Sequence, residues 1–573
     1  MTNCQLRPKM SNNTVLFRDY GVNTMSDLVV VIEAPGKIRP LRKILAELRI
    51  NAQVHATGGA LYDMPQDVLG LDPNDLTPER WTPTSSRTIQ HLTKHFKDAK
   101  RIVVMTDGDP DGELIAAQVN SVLVATGSEA IVERVTTSAL NAEAVKIALQ
   151  SPRAIDRKVC VAVMARRAID RAIGFLCSNP NASGQVAGRV SSKIISTIDQ
   201  APLKTIKVAG THPALPGWRI WGKGTSSKRE SLQAIETAFR NMDPELMGFS
   251  RETTINKPAP VMLNGADALA LVANQLNVPL AEAEKLMQTA YERGAISYPR
   301  TDSRDISPRT KTMLEDAMRT FGRRVGRSKP SSEGFSEPVA AHEAVYPCSP
   351  IKFNSSSLTG LSRLDSTIAI ITRRAFASLS PDARVKTIEI DQDAISSFLS
   401  KKGLPSVQVR IWKDIPETAG WLTVEREFLR PVQLTNIPLD SAIMERMVEQ
   451  NIGRPSTIVG HIGKALNRGW VHDHGTLSGK GQTVLAYLQQ NYPELLTPHE
   501  LDRFLARAGF DQVNQAVLAG INDVGLDFKM LQQMARESSM GVGTSFRPDS
   551  DADESGLPTY APEEDVEMAI GAP

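Results

Sequence analysis

Leu28 to Ala34 (LVVVIEA) and Arg101 to Thr106 (RIVVMT) are short, largely apolar runs of strand length, and charged residues follow or close each of them. Helical spacing comes after the second run, with Leu114, Ile115, Val119, Val122 and Leu123 recurring on one face between Gly112 and Thr126. A third strand from Ala130 to Val135 and a helix from Ala142 to Leu149 continue the alternation. Strands that alternate with helices imply a parallel sheet whose ligand site lies at the carboxyl ends of its strands. The acids at Glu33 and at Asp107 to Glu113 both fall at such ends.

A chain of 573 residues predicts three or four domains at roughly 150 residues each. With 41% hydrophobic and 23% charged residues it has the make-up of a soluble globular protein. No apolar run approaches the roughly 18 to 20 residues that span a bilayer, so no membrane partner is expected. The first 20 residues are polar and hold no signal-peptide apolar segment, so the expected location is the cytoplasm, at a bacterial nucleoid. Cys4, Cys160, Cys177 and Cys348 are scattered, which leaves neither a disulfide scaffold nor a cysteine zinc ribbon. The net charge of +2 hides an asymmetry: from Asp549 onward there are eight acids and no Lys or Arg. A basic body with an acidic tail suits a protein that binds a polyanion, the tail itself repelling phosphate or engaging a protein partner.

Further along, Arg157 to Phe175 reads as one long helix bearing several arginines, and Gly265 to Arg293 as two helices broken near Asn277 to Pro279. Val385 to Leu434 has the short apolar stretches and turns of a β-rich segment, and Ser441 to Phe510 returns to helices. Helical and β-rich stretches therefore alternate, as in domains built from non-contiguous segments. The tail from about Met540 is expected to be disordered.

Three local patterns carry chemistry. Asp107, Asp109, Asp111 and Glu113 place four acids in seven residues after a strand, and carboxylates on a Gly-containing loop favour a hard cation such as Mg²⁺. Glu33 and Lys37 flank a Pro-Gly turn at the end of the first strand. Tyr298, on a turn after a helix with Arg300 two residues on, has the makings of a phosphoryl-accepting nucleophile with a cation to hold the phosphate. Each pattern alone also fits a solvated surface. Gly475 to Gly481 has the wrong spacing for an ATP-binding P-loop. His472 and His474 read as a solvated loop, and Phe175 as either core or a base-stacking ring.

Taken together these motifs resemble the type IA DNA topoisomerases. Val30 to Lys37 with Asp107 to Ala116 resembles the toprim module, and Ala165 to Arg167 with Asp170-Arg171 and Gly174-Phe175 the arginine-bearing helix on the DNA path. Ala187 to Val190 is similar to the turn that follows, Ile296 to Ser303 (ISYPRTDS) to the tyrosine segment, His342 to Ala344 to the histidine motif, and Ile452 to Thr457 (IGRPST) to a DNA-facing loop. The resemblance implies that Tyr298 attacks a backbone phosphate of single-stranded DNA, giving a 5′-phosphotyrosyl link and a free 3′-hydroxyl. It implies that Arg300 orients the phosphate, Glu33 exchanges a proton with the 3′ oxygen and Lys37 stabilises charge on the phosphate. Asp107, Asp109 and Asp111 would hold Mg²⁺ with Glu113 beside them, and His342, Arg166, Arg167, Asp170, Arg189 and Thr457 would line the strand cleft. Strand passage and resealing would need no ATP and would relax negative supercoils or unlink DNA.

The implied fold class is multidomain: a toprim α/β domain, helical domains and a β-rich arch, closed into a toroid. The expected boundaries are an extension at 1–26, toprim at 27–150, a helical DNA-binding domain at 151–204 and 436–535, and the arch at 205–254 and 385–435. A helical domain at 255–384 would carry the tyrosine, and 540–573 would be the acidic tail. Four positions depart from the family pattern: Asp111 for Glu, Ala60 for His, Ser191 for Gln and Tyr346 for Arg. They leave an alternative, a strand-binding accessory protein with little cleavage.

Overall fold

The computed structural model describes residues 27–65, 68–178, 187–211, 217–225, 232–243, 252–326, 343–349, 358, 360–404, 406–413, 420–423, 433–454, 457–497 and 500–539. The N-terminal extension, His342 and the acidic tail lie outside them. The first unit runs β1 (Leu28–Ile32), α1 (Ile38–Glu47), β2 (Gln53–Ala56), β3 (Tyr62–Asp63), β4 (Thr82–Pro83), α2 (Ser86–Phe96), β5 (Arg101–Val104), α3 (Pro110–Thr126), β6 (Ile131–Arg134) and α4 (Ala142–Gln150). Strands β2-β1-β5-β6 form a sheet in that order, and all of its pairings are parallel. Strand alternation sends Val30, Ile32, Val54 and Val103 into the core that includes Leu41 and Leu45 of α1. It sends Val29, Val31, Ile102 and Val104 into a second core with Leu92 and Phe96 of α2 and Val119 and Leu123 of α3. A sheet covered on both faces leaves its strand ends as the place for a site.

The chain continues through α5 (Arg157–Leu176) and α6 (Arg189–Gln200) to β7 (Ile206–Thr211), β8 (Trp218–Gly224), α7 (Leu232–Arg240) and β9 (Glu252–Lys257). The Asp156 side chain caps α5 by accepting from Lys158 N and Val159 N. Next come α8 (Gly265–Leu276), α9 (Leu280–Glu292), α10 (Pro308–Thr320) and α11 (Arg363–Ser378). The break between α8 and α9 is at Asn277, held left-handed at φ 52° before Pro279. The chain then returns through β10 (Ala383–Ile388), α12 (Gln392–Lys401), β11 (Val407–Lys413) and β12 (Gln433–Asn436).

These strands make one six-stranded antiparallel sheet, β12-β7-β8-β11-β10-β9, from two chain segments more than a hundred residues apart. The sequence reading of a β-rich segment after Val385 missed α12. That helix starts because the Asp391 side chain accepts from Asp393 N and Ala394 N, and it buries Ile395 and Leu399 on the sheet beside Val409 and Ile411. The last helices are α13 (Leu439–Glu449), α14 (Ile458–Asn467), α15 (Gly479–Asn491), α16 (Leu501–Ala508), α17 (Val513–Val524) and α18 (Phe528–Ser539). Of these, α16, α17 and α18 pack against α5, which ties the end of the described chain to its arginine helix. Among the described residues no helix is long and apolar enough to cross a membrane.

Candidate active site

Strands β1 and β5 are neighbours in the sheet, so the loops leaving their carboxyl ends meet. After β1 the chain passes Glu33 and makes a single 3-10 turn, Pro35–Lys37, that turns Lys37 inward to 4% exposure. After β5 the acidic loop folds beneath the start of α3. Asp109 caps that helix by accepting from Gly112 N at 2.7 Å, and Thr106 Oγ1 donates to Gly112 O at 2.7 Å. The loop comes so close that a Cβ on Gly112 would lie 2.1 Å from Asp107 O, so this turn needs glycine. Lys37 Nζ bonds Asp107 Oδ1 and sits 4.8 Å from the Tyr291 ring centre.

Tyr298 is brought to this loop from the helical region. Gly294, left-handed at φ 68°, ends α9 and redirects the chain. The strap that follows is pinned on both sides. Tyr298 N donates to Ser138 O at 2.9 Å, Ser297 N to Tyr346 O at 2.9 Å, and Ser297 Oγ to Ala344 O at 2.9 Å. The tyrosine is 1% exposed, lies edge-on to Tyr291, and its Oη donates to Asp109 Oδ2 at 2.9 Å. Arg300 Nη2 contacts Glu284 Oε1 at 3.3 Å, and its buried Nε has no hydrogen-bond partner.

The electrostatics follow from burial and an excess of acids. Burial, then repulsion from Asp107 and Asp109, pushes Glu33 up to about 8, so it carries a proton at neutral pH. The same two causes raise Asp109, with Asp107 and Asp111 as its like-charged neighbours. Burial and these acids hold Tyr298 well above the usual phenol range. Burial would lower Lys37, but Asp107, Tyr291 and Glu33 outweigh it and keep the amine charged. Asp107 and Asp109, beside Glu33, thus offer half-buried, like-charged oxygen donors, a set that fits a hard divalent cation.

Asp111 and Glu113 point elsewhere. Asp111 Oδ1 accepts from Arg166 Nη2 at 2.8 Å. Glu113 accepts from Arg153 Nη1 and Nη2 at 2.8 and 2.7 Å, from Asp156 N at 2.6 Å, and from Arg134 Nε at 3.1 Å. The structure thus commits Glu113 to the guanidiniums of Arg134 and Arg153. Local crowding of acids in the sequence hid that geometry.

A second polar region adjoins the first along α5. Arg189 grips Asp170 with Nε at 2.8 Å and Nη2 at 3.2 Å, and Arg167 Nη1 donates to Asp63 Oδ1 at 2.9 Å. Arg189 also reaches Asp502 at 3.4 Å, Arg454 reaches it at 2.8 Å, and the Arg166 Nε lies 3.9 Å away. Burial would raise Asp502, but Arg454, Arg189 and Arg166 hold it below the usual carboxylate range. Sequence reading missed Asp502, which belongs to no motif, and passed over Arg454 inside IGRPST. Thr457 sits at the start of α14, its N–H on Arg454 O at 3.0 Å. Glu343, next to His342, accepts from Thr310 Oγ1 at 3.0 Å and from the Tyr346 hydroxyl at 2.8 Å. Tyr346, one of the four departures, is therefore a buried part of the tyrosine strap. Phe175 is half-buried and packs on the main core.

Two family models match the chain, the Toprim domain over residues 28–136 and DNA topoisomerase over residues 154–428. DNA topoisomerase 1 of Fervidobacterium islandicum is 25% identical over 528 residues, which cover 82% of this chain and 72% of that protein. Full-length topoisomerase I from Thermotoga maritima shares the fold with a TM-score of 0.58, at 20% identity and over 90% of each chain. That likeness carries the toroidal architecture, the parallel sheet at one end and the antiparallel sheet bridging the helical parts. With a toprim match over the sheet unit, a DNA topoisomerase match over the body and a buried tyrosine meeting at one acidic loop, the matches together support a type IA DNA topoisomerase, an isomerase of DNA.

Proposed function

We propose that Tyr298 is the nucleophile and that Asp109, Glu33, Lys37 and Arg300 serve the transfer. Tyr298 Oη attacks the phosphorus of a single strand while Asp109 Oδ2, already its hydrogen-bond acceptor, takes the proton. The bond to the 3′ oxygen breaks, and protonated Glu33 supplies the proton that oxygen needs. Lys37 and Arg300 counter the charge on the non-bridging oxygens. Resealing reverses each step: the 3′-hydroxyl returns its proton to Glu33, and the phenolate regains its own from Asp109. The tyrosyl phosphate keeps the energy of the broken bond, so no ATP is required.

Asp107 and Asp109 would hold the divalent ion, for which Mg²⁺ is the best match to all-oxygen donors, with Glu33 left beside it as the proton donor. When bound it supplies positive charge at the scissile phosphate. Arg166, Arg189 and Arg454 would take DNA phosphates in place of Asp502 and Asp111, since guanidinium forks accept phosphate as readily as carboxylate. The substrate is negatively supercoiled or single-stranded DNA. His342 and the protein partner expected for the acidic tail concern residues outside those described.

The observation that carries this reading is the hydrogen bond from Tyr298 Oη to Asp109 Oδ2 at 2.9 Å beside a protonated Glu33. Tyr298→Phe should abolish both relaxation of negatively supercoiled plasmid and the covalent protein–DNA adduct, with single-strand affinity kept. An adduct formed by that variant would refute the assignment.

A further inference from the structure

We propose that His55, His91 and His95 form a second metal site, on the edge of the parallel sheet, that takes a borderline transition ion of the Zn²⁺ class. Among the described residues these three gather potential ligand atoms within 4.8 Å of one another. Two independent periodicities bring them together. In β2, Val54 joins the α1-side core, so the next residue, His55, paired opposite Val31, faces the α2 side. On α2, His91 and His95 lie four residues apart on one stripe, beside the buried Leu92 and Phe96. The ring centres are 4.9 Å apart for His55 and His91, 4.1 Å for His55 and His95, and 4.6 Å for His91 and His95.

The hydrogen bonding suits ligation. His55 Nε2 lies 3.3 Å from Gln53 Oε1, an acceptor that fixes the ring proton on Nε2 and leaves the Nδ1 lone pair aimed inward. That lone pair meets His91 Nε2 at 2.9 Å, the contact an ion would replace. Zn–N bonds of about 2.0–2.1 Å in a tetrahedron put ligand nitrogens roughly 3.3 Å apart. Side-chain rotation therefore closes the site, with no movement of the strand or the helix. Burial, then His95 and His91, then Arg42, push His55 down to about 4, so its ring is in the neutral, ligating form.

The surroundings select the ion. Arg42, Arg87 and Lys94 make the local field positive, and the cluster itself contains no carboxylate. A hard ion held by charge alone is disfavoured there, whereas an imidazole-seeking ion gains coordinate bonds. Three histidines leave the fourth position to water. The site differs from the acidic loop in ligand type, and it would clasp the edge strand β2 to α2.

Cobalt titration of the metal-stripped full chain tests this. Parent protein should develop the visible bands of low-coordinate, imidazole-bound Co²⁺, saturating at one equivalent, and Zn²⁺ should bleach them while excess Mg²⁺ does not. His91→Ala, at an exposed position, and His95→Ala, at a half-buried one, should each weaken Co²⁺ binding at least tenfold and lose the few-degree rise in Tm that Zn²⁺ gives the parent. Asp107→Asn should keep the bands, and His91→Ala should keep basal relaxation. Absent bands in the parent, unchanged bands in His91→Ala, or bands lost in Asp107→Asn would each overturn the proposal.

Discussion

Glu33 and Asp502 are both half-buried carboxylates of one enzyme, yet their proton affinities move in opposite directions. Glu33 rises to about 8 because Asp107 and Asp109 crowd it, with Lys37 and Arg300 as the opposing cations. Asp502 falls because Arg454, Arg189 and Arg166 surround one carboxylate. Burial raises both, so the difference lies in the neighbours. One region has acids in excess and would be completed by a cation. The other has guanidiniums in excess and would be completed by phosphate. On the proposed mechanism the two halves of a phosphoryl transfer are opposite charge imbalances a short way apart.

The largest effect should come from the acid-rich side. Asp109→Asn keeps an oxygen to cap α3 but removes the proton acceptor, and relaxation should fall about 10²- to 10⁴-fold. A rate within threefold of the parent would end the assignment of Asp109 as that acceptor. Next comes a pH effect in chelator. Glu33 holds its proton in the folded state up to about 8 and in the unfolded chain only to about 4.5. Its contribution is therefore fully present below pH 4.5 and is lost as pH rises through 8, a decline on the order of 5 kcal/mol by linkage. Glu33→Gln should flatten the denaturation free energy across that window, and an unchanged slope would contradict the buried, proton-bearing Glu33.

On the arginine side, Asp502→Ala leaves three guanidiniums without their shared partner. It should destabilise the free protein by about 2 kcal/mol, less than a fully buried pair would cost. Oligonucleotide should restore Tm, and single-strand affinity should rise at low salt. Weaker binding than the parent would mean that Asp502 organises the arginines without competing with phosphate. The smallest effect belongs to Asp111→Glu, where one added methylene either frees the carboxylate from Arg166 to face the ion or strains that pair. The Mg²⁺ concentration for half-maximal relaxation should fall a few-fold, whereas a rise would show that the shorter acid is matched to Arg166.

What could be read in advance was whatever the chain encodes locally. The parallel sheet, the acidic turn and the tyrosine strap depend on runs and turns within a dozen residues, and α5 begins and ends within a residue of its helical pattern. Contacts that join distant segments were not legible. Asp502 meets Arg189 across 313 residues of sequence and stands in an ordinary amphipathic helix. Glu113 looked like a fourth metal acid because the arginines that claim it, Arg134 and Arg153, come from later in the chain. The histidine trio was half visible: the i, i+4 pair on α2 is a pattern, but the strand register that brings His55 to it is set only by packing.

The strap holding Tyr298 has a mechanical corollary. Its N–H bonds Ser138 O and its hydroxyl bonds Asp109, so the nucleophile rests against the sheet unit while its own chain belongs to the helices. On the proposed mechanism the strand end linked to Tyr298 would travel with the helices, and the other end would stay with Glu33 and Lys37. The hydrogen bonds of that seam are worth roughly 1 kcal/mol net each, and an ion pair between Arg309 and Glu143 reinforces them. A latch of such weak bonds would part and re-form on the microsecond-to-millisecond scale of domain motion, so that neither broken end need be released.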